Sequence, residues 1–206
     1  MYTSSVPLIE MYEPVQICVG FAVAPCESVL HGVQNQLERA IKKEAFRSTL
    51  CSIEWPEFFE GDGLFYDNKR FQIALFSPHE RLTVYVCNLA DGWVSLYGNL
   101  VKASAIDAYF FRATLSEGAE FKVFEMMGWR RGVLERELRA LQDDDGWKFV
   151  NRGEPLSFEN PLQYKKRQVS ARLDRRSIER YSEAVGYPVG SVTAFSGQCW
   201  RLWRSS

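Results

Sequence analysis

The sequence predicts a single α+β domain in which a mostly antiparallel β-sheet is flanked by helices. Three observations carry this prediction. Short apolar segments of strand character recur along the chain, some joined by short turns. Other stretches have the apolar spacing of amphipathic helices. A cluster of turn formers at 143–146 separates two periodic segments, as in a β-hairpin. No repeat, low-complexity segment or linker divides the 206 residues, so we expect one domain over 1–206.

The first half supplies a strand, a helix and a strand pair. Residues 15–24 form a short apolar run rich in β-branched residues, which predicts a strand buried on both faces. Residues 27–46 carry apolar residues at helical spacing and predict the clearest helix. Its apolar stripe consists of Val29, Leu30, Val33, Leu37, Ile41 and Ala45. Segments 71–76 and 82–89 predict adjacent antiparallel strands because a short turn-like connection joins them.

The second half continues the mixed pattern. A short helix and two strands are predicted at 96–106, 108–114 and 121–127. Asp174 is placed to cap a helix over 175–185, and Gly186 is placed to end it. The C-terminal segment, SVTAFSGQCWRLWRSS, carries aromatic and apolar residues that we expect to dock on the body of the domain.

The residues before the turn at Asp143-Asp144-Asp145-Gly146 allow two interpretations. In residues 130–141, Leu134 and Leu138 fit a strand face shared with Arg136 and Ala140. The leucines at 134, 138 and 141 fit a helix equally well. We expect a long hairpin, because an Asp-Gly turn followed by alternating aromatic residues favours strand pairing.

The composition is that of a folded protein without an excess of positive charge. Hydrophobic residues make up 46% and aromatic residues 14% of the chain, enough for a substantial core. The formal net charge is −1. General nucleic-acid binders usually carry an excess of Lys and Arg, so the charge disfavours this class.

The cysteines and the first residues indicate the cytoplasm. The five cysteines are odd in number and scattered, and several lie in apolar runs, as reduced and buried thiols do. The start, MYTSSVPLIEMYEPV, lacks the basic residues of a signal peptide and carries Glu10 and Glu13. No stretch reaches the roughly 18 apolar residues needed to cross a bilayer. We therefore expect a soluble cytoplasmic protein that does not associate with membranes.

The sequence contains no recognised motif for metal binding, phosphate binding or covalent catalysis. Its two histidines, His31 and His79, come without a Cys-x-x-Cys pair, so no structural zinc spacing can be assembled locally. A glycine-rich phosphate loop and a glycine-flanked Ser elbow are also missing. We expect no metal, no cofactor and no enzymatic activity. The alternative is a small enzyme with a dispersed site, in which Cys51 or Cys87 pairs with a histidine.

One basic stretch leaves a second alternative open. Residues 165–180 have the composition of a phosphate-binding face, with only Asp174 and Glu179 as acids. The basic residues are Lys165, Lys166, Arg167, Arg172, Arg175, Arg176 and Arg180. In a protein of neutral charge we expect them to be solvated or paired with acids such as Glu154 or Glu159, and direct nucleic-acid binding is disfavoured.

An acidic, aromatic segment is the predicted partner-binding surface. Residues 54–66 interleave carboxylates with aromatic rings and contain no Lys or Arg. Aromatic anchors contribute binding energy when they are buried, and clustered carboxylates attract a basic partner. The predicted partner-binding residues are Glu54, Trp55, Glu57, Phe58, Phe59, Glu60 and Asp62. The alternative is an ordinary surface loop whose aromatic rings turn into the core.

Several short motifs follow one another from about residue 92 to residue 187. They are Gly92-Trp93, Gly146-Trp147-Lys148-Phe149, Gly153-Glu154-Pro155-Leu156-Ser157-Phe158-Glu159, Tyr164-x-x-Arg167, Asp174-Arg175 and Tyr181-x-x-x-x-Gly186-Tyr187. With these motifs the second half of the chain resembles bacterial immunity proteins, the cytoplasmic partners of secreted toxins. More narrowly, it is similar to immunity proteins of type VI secreted effectors, including nuclease effectors.

The resemblance implies a function by binding. Such a protein neutralises its cognate toxin by occluding the active site of the toxin or an assembly that the toxin needs. The family has no catalytic residues. A cytoplasmic immunity protein implies a toxin that acts in the cytoplasm, which suits a nuclease better than a cell-wall hydrolase.

Overall fold

The computed structural model describes residues 16–41, 46–52, 58, 71–116, 118–194 and 196–204. The strands are β1 (Gln16–Ala22), β2 (Phe46–Ser52), β3 (Gln72–His79), β4 (Leu82–Cys87), β5 (Ala108–Thr114), β6 (Val123–Arg130), β7 (Val133–Asp143), β8 (Gly146–Arg152) and β9 (Gln198–Arg204). The α-helices are α1 (Cys26–Ala40), α2 (Val94–Ser104) and α3 (Arg175–Val185). Short 3-10 turns cover Gln163–Lys165, Val169–Ala171 and Val189–Ala194.

All nine strands belong to one sheet, in the order β2-β9-β3-β4-β1-β5-β6-β7-β8. Every neighbouring pair in the sheet is antiparallel. The predicted α+β class with a mostly antiparallel sheet is therefore confirmed. β1 lies at the centre and is buried over nearly its whole length, as its continuous apolar run predicts.

The sheet separates two apolar cores. On the first face, α1 and α2 cover a cluster that includes Tyr85, Tyr97 and Leu202. On the second face, α3 and the segment before it cover a cluster that includes Phe111, Leu138 and Tyr181. Side chains alternate between the two faces along each strand. In the part of the chain that the structure describes, no helix combines the length and apolar character needed to span a bilayer.

The first predicted helix is shorter than its apolar pattern suggests. α1 buries Val29, Leu30, Val33 and Leu37 as predicted, but it ends at Ala40, and Ile41 is extended. Phe46 already begins β2, where it pairs with β9 and is buried. The helical periodicity of the sequence extended the predicted helix to residue 46. In the structure, residue 46 instead pairs as part of a strand at the end of the sheet. Ala45, the last member of the predicted stripe, lies outside the described residues.

The hairpin prediction for the central segment is confirmed. β7 and β8 pair through Asp143 and Gly146, with the turn between them. Arg136, Leu138 and Ala140 share a buried strand face, but the predicted fourth member, Leu134, is 46% exposed. The register shifts at this point, because Gly128 pairs with Arg136 whereas the next residue, Trp129, pairs with Leu134. The extra residue of this irregularity removes Leu134 from the shared face.

The last predicted helix begins and ends where its capping residues indicate. The carboxylate of Asp174 accepts a hydrogen bond from the backbone N–H of Ser177 at 2.8 Å, and α3 starts one residue after the aspartate. Gly186 ends the helix with a positive φ of 124°, which glycine adopts without steric cost. The C-terminal segment docks as predicted, since β9 lies between β2 and β3 and buries Cys199 and Leu202.

Two glycines at the ends of β8 provide a test of this geometry. Both have positive φ, 104° at Gly146 and 79° at Gly153. A Cβ atom at Gly146 would meet nothing within 4 Å, whereas one at Gly153 would lie 1.8 Å from the carbonyl oxygen of Glu135. We expect Gly146→Ala to lower the free energy of unfolding by about 1–2 kcal/mol, the strain of a left-handed alanine.

Gly153→Ala adds a backbone overlap to the same strain, so it should destabilise the protein clearly more than Gly146→Ala. Urea denaturation of both variants measures the difference. Equal losses of stability would contradict the close approach of residue 153 to β7.

Candidate functional site

Within the segment predicted to bind a partner, the structure describes Phe58. Its side chain is fully buried in the apolar cluster on the second face of the sheet. Phe58 is therefore not, in this structure, the surface anchor that was first predicted. Its aromatic ring turns into the core, which was the alternative interpretation. The other predicted binding residues, Glu54, Trp55, Glu57, Phe59, Glu60 and Asp62, lie outside the described residues.

The strands on either side of this segment are not neighbours in the sheet. β2 and β3 both pair with β9 in antiparallel fashion, so they run parallel to each other. Parallel strands require a crossover connection, since a tight turn cannot join them. Phe58, a described residue of the segment that connects these two strands in sequence, is buried in the core.

Residues from three of the motifs that carry the resemblance meet in a buried polar network around Arg136. The guanidinium of Arg136, 1% exposed, forms a two-pronged ion pair with Glu159, with N–O distances of 2.8 and 2.6 Å. Its remaining nitrogen donates to the side chain of Asn151 and to the carbonyls of Arg152 and Gly153. Every nitrogen of the buried cation is therefore hydrogen-bonded, which offsets the large desolvation cost of burying it.

The carboxylate of Glu159 is equally well satisfied. One oxygen also accepts from the backbone N–H of Leu156 at 2.9 Å, and the other lies 2.7 Å from the Tyr164 hydroxyl. Because the ionised carboxylate can only accept, Tyr164 donates to it. The Tyr181 hydroxyl, 2.8 Å from that of Tyr164, then donates to Tyr164. The chain of hydrogen bonds has a single direction and ends on the anion.

The pKa shifts agree with a charged, closed network. Burial by itself lowers the pKa of Arg136, but the hydrogen bonds and the charge of Glu159 outweigh it, so the pKa is raised. Burial, followed by the hydrogen bonds to Tyr181 and Glu159, raises the pKa of Tyr164 far above its usual range. Both groups therefore keep their protons at neutral pH, and the network is suited to holding structure rather than to transferring protons.

Sequence reasoning missed this network, although a signal for it was present. Arg136 fell on a predicted strand face with Leu138 and Ala140, and an arginine on an apolar face needs an acidic partner. Glu159 was instead assigned as a partner for the basic stretch. The structure corrects that assignment, since Glu159 pairs with Arg136 on β7.

The basic stretch 165–180 is partly occupied by contacts within the protein. Arg172 donates to the carbonyl of Lys166 at 2.7 Å and lies over the ring of Phe149. Arg175 pairs with Glu179 four residues later on α3, at 2.9 Å, and Arg180 lies over the ring of Tyr181. The exposed cations of the stretch are Lys165, Lys166, Arg167, Arg176 and Arg180. The other two basic residues, Arg172 and Arg175, are partly buried and engaged within the protein.

The thiols and histidines of the alternative enzyme site lie in different environments. His31 on α1 and His79 at the end of β3 are exposed, whereas Cys87 is buried on β4. Burial raises the pKa of Cys87 to about 12, so its thiol is protonated at neutral pH. Among the described residues, no three His, Cys, Asp or Glu side chains are arranged to hold a metal ion.

An open cavity of about 480 Å³ lies where the start of α1 meets the ends of β2, β3 and β9. Its lining includes Cys26, Glu27, Ser77, Glu80, Cys199 and Trp200. The size is within the range of small-molecule sites. Burial raises the pKa of Cys26 and of Cys199, to about 12 in the second case, which keeps both thiols protonated. At neutral pH both groups are therefore mainly protonated thiols, which makes them slow nucleophiles.

Comparison of the chain with protein-family models, with curated proteins and with solved structures found no match. The resemblance to immunity proteins stays a prediction from the motifs of the sequence.

The Arg136–Glu159 pair provides a stability test. Glu159→Gln removes the anion and leaves a buried, unpaired guanidinium, so we expect it to lower the free energy of unfolding by about 3–5 kcal/mol. The matched control is Glu154→Gln, the same change at an exposed position of the same motif. It should alter stability by about 0.5 kcal/mol or less. Chemical denaturation measures both, and similar small effects would contradict a buried ion pair.

Phe58 can be tested in the same way. Phe58→Ala should reduce stability by about 3–5 kcal/mol, because it leaves a cavity in the core. Phe121, which is 50% exposed, is the control, and its change to alanine should shift stability by about 0.5 kcal/mol or less. If the Phe58→Ala protein keeps its stability but binds the partner more weakly, the role of Phe58 as a surface anchor, which the sequence predicted, would be supported.

Proposed function

We propose that the protein is a cytoplasmic immunity protein, which binds a cognate secreted toxin and neutralises it by occluding its active site or an assembly that it needs. The toxin class that fits best is a nuclease effector of a type VI secretion system. The single observation that carries the proposal is the set of motifs over residues 92–187 that resembles this family. The structure supports their importance, because Gly153, Glu159, Tyr164 and Tyr181 meet in one network.

The charge of the predicted binding segment supports a basic partner. Glu54, Glu57, Glu60 and Asp62 lie within nine residues that contain no Lys or Arg. A nuclease binds the phosphates of its substrate with a basic cleft, and a row of carboxylates can occupy such a cleft in their place. The ring of Phe58, the described residue of this segment, is buried in the body of the protein.

Internal contacts of the basic stretch and burial of Cys87 favour a binding protein over a nucleic-acid-associated protein or a Cys/His enzyme. Arg172 and Arg175 are engaged within the protein, which weakens the case for a nucleic-acid surface. The raised pKa of the buried Cys87 thiol weakens the case for this cysteine as the nucleophile of a Cys/His enzyme.

The test of the function first identifies the binding partner and then measures whether that partner is toxic to cells. A tagged form of the chain is expressed in the native host, and proteins that co-purify at near-equal amounts are identified by mass spectrometry. We expect a larger protein whose expression alone stops cell growth and whose effect is abolished by co-expression of this chain. A co-purified protein that is harmless alone, or a toxin that this chain does not neutralise, would overturn the proposal.

The acidic surface is tested separately by charge reversal. The double variant Glu54→Lys/Glu57→Lys should slow association with the purified toxin at least tenfold at low salt, and the effect should shrink as salt screens the charges. The control is Glu120→Lys/Glu154→Lys, which changes the net charge by the same amount at two exposed acids elsewhere. Surface plasmon resonance measures the rates. Equal slowing by both variants would indicate net charge as the cause and reject this segment as the contact.

A further inference from the structure

Two cysteines face each other across neighbouring strands at one end of the sheet. Cys51 on β2 is the direct antiparallel partner of Cys199 on β9. Directly opposed residues in such strands have Cα atoms about 4.5 or 5.5 Å apart, depending on the hydrogen-bonding pattern of the pair. A disulfide bond spans Cα separations of roughly 4.4–6.8 Å. The typical Cα spacing of such a pair therefore lies within the range that a disulfide bond spans. Both thiols are free in the structure.

The two thiols differ in access to solvent. Cys51 is partly exposed on β2, which stands at the end of the described sheet, whereas Cys199 is 1% exposed. Burial, followed by the charge and the hydrogen bond of Cys51, raises the pKa of Cys199 to about 12. The side chains of directly opposed residues lie on the same face of the sheet, and Cys51 is the one that a dissolved oxidant reaches first.

We propose that Cys51 and Cys199 form a reversible oxidation site, in which a small-molecule disulfide converts the two thiols into a disulfide bond joining β2 to β9. The site does not depend on the proposed function, and its test needs no toxin.

The chemistry balances with glutathione disulfide as the oxidant. Cys51 loses its proton, and its sulfur attacks one sulfur of the oxidant, whose S–S bond breaks and releases one glutathione thiolate. Cys199 then loses its proton and attacks the sulfur of Cys51 in the mixed disulfide, which releases the second glutathione. The two protons end on the two released glutathione thiolates. Two protein thiols are oxidised to one disulfide, and one glutathione disulfide is reduced to two glutathione molecules.

The protein contains an internal comparison for this reaction. Cys18 on β1 and Cys87 on β4 lie one position beyond the registered pair Val19–Val86, where an extension of the antiparallel register would place them opposite each other. Both are at least 95% buried, at 5% and 2% exposure. Both thiols of this second pair lack access to solvent, whereas Cys51 of the first pair is partly exposed. Cys51 and Cys199 should therefore be oxidised while Cys18 and Cys87 stay reduced.

The site is tested on the folded full-length protein with glutathione disulfide as the probe. After reaction, the remaining free thiols are alkylated, and the protein is digested without reduction and mapped by mass spectrometry. We expect a linked peptide pair containing Cys51 and Cys199, with Cys18, Cys26 and Cys87 alkylated, and we expect dithiothreitol to reverse the link. Alkylation of Cys51 and Cys199, or a stable glutathione adduct on Cys51, would overturn the proposal.

Two variants distinguish the Cys51–Cys199 bond from a bond between Cys199 and the neighbouring thiol of the cavity. Cys26 also lines the cavity beside Cys199 and is the competing partner. Cys26→Ser should leave the Cys51–Cys199 link intact, whereas Cys51→Ser should abolish it. A link between Cys26 and Cys199 in the unaltered protein, or a dimer joined through Cys51, would refute the assignment. Amide hydrogen exchange gives a second readout, since the oxidised form should exchange at least severalfold more slowly in β2 than the reduced form.

Discussion

The buried ion pair between Arg136 and Glu159 determines how the segment after the hairpin is attached to the sheet. β7 contributes the cation, and a stretch of irregular chain contributes the anion, the carbonyl of Gly153 and the hydroxyl of Tyr164. A buried charge that loses its partner is strongly destabilising, so few alternative positions are available to this irregular chain. The network therefore gives a region with little regular structure a defined place against the second face. α3 follows that region directly in the chain, so the position of the region also constrains where α3 begins.

The local elements of the fold could be predicted well because their signals are local. The turn at 143–146 and the caps at Asp174 and Gly186 each depend on a few adjacent residues, and each is where the sequence placed it. β1 was recognisable from an apolar run that only a strand buried on both faces requires. The predicted end of α1 was wrong because it depends on a contact with a distant part of the chain. Its apolar spacing continues past Ala40, but the pairing of Phe46 with a strand 158 positions further along decides the structure there.

The candidate site was much less accessible to sequence reasoning. The composition of residues 54–62 identified acids and aromatic rings, but spacing alone could not show which rings face inward, and Phe58 does. The partner of Glu159 was missed because it lies 23 residues away on a strand, and charge patterns within a helix or loop do not report such pairs. The opposed thiols of Cys51 and Cys199 were equally invisible, since their register exists once the sheet has formed.

The position of β9 has a consequence for how the protein is made. β9 comes last of the nine strands along the chain, yet it lies between β2 and β3, which are among the first. Until residues 198–204 leave the ribosome, both earlier strands expose an unpaired hydrogen-bonding edge next to apolar side chains. Such edges can pair with one another between chains, and long-range pairings form slowly. The delay between the synthesis of β2 and that of β9 is therefore a period in which the incomplete sheet is prone to incorrect pairing.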